Sequence, residues 1–497
     1  MPQPDLYDLV AYPGTVYPST HPGNLAAIAL LHELEAPPVE SCRVLEIGCN
    51  EGQNLIPMAC AIPTSEFLGI DLAAVPIARG QQRIRQLGLA NIRLLQADLM
   101  DLSAEFGAFD YILIHGVYAW VPDPVRDRIF SLVSELLTPN GVAFVSYNAL
   151  PGGHIRNLVG DILRQGNALS ANPAEALQQG IELLRMLAAS RPDGDPLGVF
   201  LKGELERLLK RDPNVVVHDE LSSSHRPVSY TEFTAHAARH GLQPLDEATF
   251  PPPSDPLYHP QLSSVARTLS GGDPIAFEQA LDTFRLRRYR ETLLCRAGLP
   301  LSDTLSMRYL DRLSFACAAV PAGSAPGSRL FQHPRGGTIE SRHPGTVALL
   351  ECLIAAWPEA VPFVEAAEHV VSRGFAVDAK LIQQIFQLVV SQAIQLRSWR
   401  VPVSQYLEAR PAASALARFD AASGADQTTT LLHTSFELSD PVIRSLVVHL
   451  DGTRDRGALL EALQAHHPEA PLASLAEGLE PSLQLLHRLG ALQATEE

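Results

Sequence analysis

Four short apolar runs each end in a polar residue or a glycine, and those endings are where this chain can do chemistry. Val44-Leu45-Glu46-Ile47 runs into Gly48-Cys49-Asn50-Glu51-Gly52, a glycine-containing turn preceded by a carboxylate. Such a turn lets backbone N–H groups approach a ligand that side chains would otherwise block. Phe67-Leu68-Gly69-Ile70 ends in Asp71, an acid placed to grip two ribose hydroxyls. Ile92-Arg93-Leu94-Leu95-Gln96-Ala97 ends in Asp98, and Tyr111-Ile112-Leu113-Ile114 ends in His115-Gly116. In an open parallel sheet, the carboxyl ends of the strands form the edge where ligands bind. A dinucleotide fingerprint wants glycine at the first, third and sixth turn positions; Gly48, Asn50 and Gln53 stand there, so two of the three fail. No Gly-Lys-Ser/Thr follows, which excludes a P-loop.

These strands must be held by helices. The spacing predicts helices at 24–34, 52–61, 74–87 and 124–137, the last closed by Thr138-Pro139-Asn140-Gly141 before the strand Val142-Ala143-Phe144-Val145-Ser146-Tyr147. Strand–helix alternation over 42–148 predicts an α/β, Rossmann-like, doubly wound sheet. Beyond Pro151-Gly152-Gly153 the pattern turns helical. Ile155, Leu158, Val159, Ile162 and Leu163 form one apolar stripe, and Leu201, Leu205, Leu208 and Leu209 another. Ser229 with Glu232 predicts a capping box, and Gly241 the end of that helix. Residues 321–345, rich in Pro, Gly and Ser, read as a linker or exposed loop. A helix is predicted at 346–356, another through Ile382 to Ala393, and an extended stretch at 431–438 ahead of helices split by Asp451-Gly452-Thr453. The expected division is 1–165 (sheet domain with an N-terminal cover segment), 166–300 and 301–400 (mainly helical), and 401–497 (a small winged-helix-like module).

Composition bounds the partners. A formal charge of −17 argues against non-specific nucleic-acid binding and suits a basic substrate. The apolar stretch 349–364 is interrupted by Glu351, Pro358 and Glu359, so no membrane insertion is expected. Met1-Pro2-Gln3-Pro4-Asp5 lacks the basic and apolar parts of a secretory signal, and a cytoplasmic protein is expected. The six cysteines show no Cys-x-x-Cys pairing, and His466-His467 has no third ligand nearby, so no metal is expected. At helical spacing Arg285 and Arg288 share one face while Arg287 and Arg290 share another, which reads as a solvated or subunit-pairing surface.

Glu46, Gly48 and Gly52 fit the first motif of the class I S-adenosylmethionine (SAM) methyltransferases, Glu/Asp-x-Gly-x-Gly-x-Gly, which the turn resembles except at Asn50. Asn tolerates the left-handed conformation better than most residues. The likeness extends to Tyr17-Pro18-Ser19-Thr20-His21-Pro22, to the segment from His115 to Pro122, and to Tyr147-Asn148-Ala149-Leu150-Pro151-Gly152. Arg287-Arg288-Tyr289-Arg290-Glu291 and Leu450-Asp451-Gly452-Thr453 continue it. Together these resemble bacterial methyltransferases with a methyltransferase regulatory domain, some of which methylate lysines of outer-membrane proteins. Two positions depart from that pattern: Gly153 stands where an aromatic is usual, and His225-Arg226 where Asn precedes Pro227.

The resemblance implies SAM as cofactor and a protein lysine as methyl acceptor, with another acceptor or a SAM-binding scaffold without turnover as alternatives. Asp71, with Leu72, is expected at the ribose, and Asp98, with the backbone of Leu99, at the adenine. Glu46, Gly48, Cys49, Asn50, Gly52, Asn54 and His115 are expected around the turn and the methionine end. Tyr17 and His21 are expected to cover the cofactor. Tyr118, Trp120, Tyr147 and Asn148 are expected to line the acceptor channel. No general base is named, because a sulfonium methyl chiefly needs in-line alignment and exclusion of water. A homodimer is expected through the second domain.

Overall fold

The computed structural model describes residues 10–166, 172–222, 224–251, 255, 257, 259–325, 327–334 and 336–494. The opening Met1-Pro2-Gln3-Pro4-Asp5 lies outside them. Helix α1 (Pro22–Leu31) leads into β1 (Arg43–Ile47), α2 (Leu55–Ala61), β2 (Glu66–Asp71), α3 (Ala74–Leu87) and β3 (Ile92–Gln96). Then come β4 (Phe109–Ile114), α4 (Asp123–Leu136) and β5 (Leu137–Asn148). Strands β1 to β5 are mutually parallel in the order β3-β2-β1-β4-β5. The order reverses between β1 and β4, which sets the ligand crevice at their carboxyl ends.

The central strands read as continuous apolar runs because both sheet faces are covered. Val44 and Tyr111 pack with α1, α2 and α3, whereas Leu45, Ile47 and Ile112 pack with Ile129, Phe130 and Val133 of α4. Each such fully buried side chain contributes roughly 1.5–3 kcal/mol. Helix α3 stops at Gly88, whose left-handed φ of 67° needs no Cβ. Helix α1 is apolar nearly all round, and accordingly it is sandwiched between the sheet and a second core at 310–394.

The following segment comprises α5 (Gly153–Gly166), α6 (Pro173–Ala189), α7 (Pro196–Leu209), α8 (Pro213–Glu220), α9 (Tyr230–Arg239), β6 (Leu242–Glu247), α10 (Pro260–Ser270), α11 (Pro274–Arg285) and β7 (Tyr289–Arg296). It is not purely helical. β6 and β7 return to the first sheet, completing the order β3-β2-β1-β4-β5-β7-β6 with antiparallel pairing. The apolar stripes instead close a local core: Val159, Leu163, Leu201 and Leu208 are buried together. The capping box at Ser229 and Glu232 forms as expected.

The arginine-rich stretch is also corrected. Helix α11 ends at Leu286, in left-handed conformation at φ 48°, so the arginines beyond it leave the helix. Arg290 is 1% exposed and is held by Asp282, Glu247 and Glu278 at 2.6–2.9 Å. Its guanidinium also lies over the Tyr230 ring. A cation so placed is a buried structural pin, not a solvated face.

Residues 301–400 mix helices with small sheets. β8 (Ser314–Ala316) precedes β9 (Val320–Ala325), β10 (Ser328–Gln332) and β11 (Thr338–Ser341). The last three form an antiparallel sheet where a linker or exposed loop was expected: Gly327 and Gly336-Gly337 turn the chain between short strands, while Pro321 and Gly323 sit within β9. α12 (Pro344–Ala356), β12 (Val361–Pro362), α13 (Phe363–Ser372), α14 (Ala379–Val390) and β13 (Gln395–Arg397) complete the unit.

The C-terminal winged-helix module has β14 (Ala412–Ala413), α15 (Ala415–Ala422), β15 (Gln427–Thr429), β16 (Ser435–Glu437), α16 (Pro441–His449), α17 (Arg456–His466), α18 (Leu472–Arg488) and β17 (Leu492–Gln493). The stretch 431–438 is not one extended segment; β15 and β16 form a hairpin whose turn puts His433 at φ 56°. No helix among the described residues is long and apolar enough to cross a membrane.

Candidate active site

At the reversal of strand order, the turn after β1 folds back on β2. The N–H groups of Gly48 and Cys49 both donate to the Ile70 carbonyl, at 2.9 and 3.1 Å. Gly48, Asn50 and Gly52 all have positive φ, at 79°, 51° and 76°. A Cβ on Gly48 would sit 2.5 Å from Val117 Cγ2, so bulk is excluded as well as conformation. Asn50 therefore fills a left-handed position that a β-branched residue would strain.

Asp71 closes this turn. Its Oδ2 accepts from the Asn50 N–H at 2.8 Å and its Oδ1 from the Ala73 N–H at 2.9 Å. It does not cap α3, whose N-cap is Ala73. Two fixed bonds hold the carboxylate at the sheet edge beside Leu72, which is 59% exposed. Asp98 stands exposed at the next strand end and accepts from the Met100 N–H, with Leu99 half-buried beside it.

Behind the turn lies a buried polar knot. Glu46 Oε1 accepts from Asn54 Nδ2 at 2.8 Å. Asn54 also engages Thr20 Oγ1, the Tyr17 N–H and His433 Nε2. Glu46 Oε2 is buried with no hydrogen-bond partner among the described residues. Burial pushes the Glu46 carboxyl up to about 8; the Asn54 bond opposes the shift and the Asp71 charge adds to it. The orphaned oxygen is a site awaiting a donor.

Tyr17 stacks on His115 at 3.6 Å between ring centres, and His115 Nε2 lies 3.0 Å from the Tyr289 hydroxyl. Burial lowers His115 to about 4, so the ring is neutral at physiological pH. His21 points elsewhere. Its Nδ1 accepts from the Gly23 N–H and its ring stacks on Trp399, in the wall of a cavity of about 690 Å³. Ser19, Phe250, Arg397 and His433 line the same cavity. A bonded path thus runs from the cavity wall through His433 and Asn54 to Glu46.

Three family descriptions match this chain. A methyltransferase domain matches residues 44–141, a "predicted methyltransferase regulatory domain" 212–296, and a "PKMT, C-terminal winged helix domain" 409–482. Two uncharacterised proteins of Rickettsia prowazekii are similar. RP789 is 32% identical over 63% of this chain and 57% of its own length, and RP028 is 34% identical over 47% and 94%. The chain belongs to the class I SAM-dependent methyltransferases. It spans little more than half the length of the first of these relatives. The solved structure of PKMT2 from Rickettsia typhi has the same fold: TM-score 0.84, 22% identity, 97% of this chain and 100% of that one. A second structure of PKMT2, in complex with AdoHcy, matches with the same TM-score at 23% identity.

The cofactor is SAM, and the turn suits it: left-handed backbone for close approach, and an orphaned Glu46 oxygen for a cationic amine. The acceptor-channel residues fall differently. Tyr118 and Tyr147 are 2% and 1% exposed and belong to the aromatic core against Phe233. The Tyr118 hydroxyl bonds His236 Nδ1 and that of Tyr147 bonds Thr292. They are committed to this core and not to an acceptor channel: the pleat of β5 turns Tyr147 toward Phe233 of α9, and Tyr118, in the turn after β4, meets Phe130 of α4 and Phe233 of α9. Asn148 is likewise buried, its Nδ2 directed at the Arg288 carbonyl. Trp120 packs on His225 and under Arg156. The departures at Gly153 and at residues 225–226 lie together: a Cβ on Gly153 would meet Pro227 at 2.5 Å, so an aromatic there has no room.

His433, Thr20 and Tyr289 were missed as site residues. His433 had no local signal, since its role depends on a contact spanning 379 residues.

Proposed function

We propose that this chain transfers the methyl group of SAM to the ε-amino group of a lysine on another protein. The observation that carries the cofactor site is the buried, unpartnered Glu46 Oε2 beside a left-handed turn. When bound, SAM supplies an electrophilic methyl on a sulfonium. Glu46, oriented by Asn54, faces the ammonium; the N–H groups around Gly48, Cys49, Asn50 and Gly52 allow close approach. Asp71 accepts from the ribose hydroxyls, while Asp98 and the Leu99 backbone meet the adenine edge, with Leu72 flanking it. Tyr17 and His115 shield the methionine end from water.

The acceptor amine must be neutral, since an ammonium has no lone pair. Desolvation lowers a lysine pKa and serves that end. Half-buried Tyr17 and His115, with the more exposed Tyr289 beside them, supply such surroundings, in place of Tyr118 and Tyr147. The cavity lined by Ser19, His21 and His433 is roomy enough for a side chain with its flanking peptide. The PKMT description of the C-terminal module and the net charge of −17 support a basic protein acceptor.

The test offers labelled SAM and purified chain to a cell extract, with and without protease pretreatment. Label mapped to lysine by mass spectrometry supports this function, label only in small molecules replaces it with another acceptor class, and binding without transfer points to a scaffold.

Assembly and location follow as proposals. Met186, Leu197, Val199 and Leu209 leave apolar side chains exposed on α6 and α7, a surface that suits a homodimer. A strict monomer by light scattering at micromolar concentration removes that proposal. All six cysteines are free thiols, which suits the reducing cytoplasm.

A further inference from the structure

Two imidazoles and a carboxylate converge where α4 crosses α9. His236 and His240 stand four residues apart at the end of α9 and therefore on one face. Asp127 reaches them from α4: its Oδ1 lies 2.9 Å from His240 Nε2 and 3.3 Å from His236 Nε2. Among the described residues, this is the one grouping of three such side chains whose ligand atoms all lie within 4.8 Å of one another. We propose that Asp127, His236 and His240 bind a divalent transition-metal ion of the zinc class.

Three features carry the assignment. Metal bonds of about 2.0–2.1 Å in tetrahedral array put ligand atoms roughly 3.3 Å apart, and the two separations from Asp127 are close to that edge length. A metal-bound histidine characteristically uses its other ring nitrogen to hold its orientation. Here the Tyr118 hydroxyl lies 2.8 Å from His236 Nδ1, and Tyr118 is itself 2% exposed and wedged against Phe130 and Phe233. The Nε2 edge of His236 is thereby aimed at Asp127 by a rigid core residue. Third, the Asp127 side chain is 62% exposed, so a solvent molecule can complete the fourth position.

Two nitrogens and a single carboxylate favour zinc, nickel or copper over magnesium or calcium, which need oxygen-rich sets. Helix α4 lies within the methyltransferase domain and α9 within the regulatory domain. The ion would clip the two together. The alternative use of the same atoms is two plain hydrogen bonds from the imidazoles to Asp127, and that is what the experiment separates.

The full-length chain is stripped with chelator and titrated with Co²⁺ alone, then with Zn²⁺. The expected result is saturable uptake of one equivalent with a visible Co²⁺ absorption band, abolished by Zn²⁺, and a zinc-dependent rise in Tm. His240→Ala and Asp127→Ala weaken uptake at least tenfold, and Tyr118→Phe weakens it about 10–100-fold. His466→Ala, which breaks a separate imidazole pair with His449, leaves it unchanged. Absence of one-equivalent uptake by the wild type overturns the proposal. So does uptake that survives both His240→Ala and Asp127→Ala, each checked for the wild-type fold by circular dichroism.

Discussion

His433 Nε2 lies 3.0 Å from Asn54 Oδ1, joining the hairpin turn of the winged-helix module to the residue that orients Glu46. Both side chains are buried, so the bond is made away from water. His433→Ala leaves Asn54 short of one of its partners and free to turn away from Glu46. The expected effect is SAM binding weaker by about 0.5–1.5 kcal/mol, measured by calorimetry. Affinity equal to wild type in a folded variant would show that the module is irrelevant to the cofactor turn.

Glu46 gives that turn a pH dependence of known sign. Its carboxyl is raised from 4.5 to about 8 in the ligand-free chain, first by burial. Its contribution to stability is therefore present below about pH 4.5 and lost as pH rises through about 8. Binding of a cationic amine demands the ionised form and works in the opposite direction. SAM affinity should rise from pH 6 to about 8 with proton release, and Glu46→Gln should bind weakly with a flat profile. Proton release is read by calorimetry in buffers of different ionisation enthalpy.

Acid should loosen the module by a separate route. Burial holds His21 down at about 3 and His433 well below 6.5, so both stay neutral in the fold. The unfolded chain takes up protons below about pH 6.5 and the folded chain does not, so stability falls as pH drops from there. Hydrogen exchange should show the 427–437 hairpin opening at pH 5 before β1 to β5 do. Uniform protection across both regions would contradict this.

What was legible in the sequence is what local pattern encodes. Gly48, Gly52, Asp71 and Asp98 could be read because turn conformation and strand ends are set by neighbouring residues. β6 and β7 were hidden: β6 carries Pro244 and an irregular register, and β7 follows α11 with arginines that mimic a helical continuation. Tyr118 and Tyr147 read as channel residues because position near a strand end does not reveal whether a side chain turns into the core. His433 and the Asp127 cluster are contacts between distant segments, on which composition and spacing are silent.

The buried ion network around Arg290 predicts a stability effect away from the cofactor. Asp282→Ala leaves the guanidinium without its fully buried, bidentate carboxylate partner, an arrangement that costs roughly 3–5 kcal/mol. Urea unfolding of wild type and variant measures it, and a loss under 1 kcal/mol would mean that Glu247 and Glu278 suffice.

Asp71 offers the most direct test of the whole account, because its two backbone bonds leave its position little freedom. The measurement is calorimetric titration of SAM into the wild-type chain and into Asp71→Ala. One site is expected in the wild type, with a loss of about 1–3 kcal/mol in the variant as ribose hydroxyls go unpaired. No binding by the wild type, or unchanged affinity in Asp71→Ala, would contradict it.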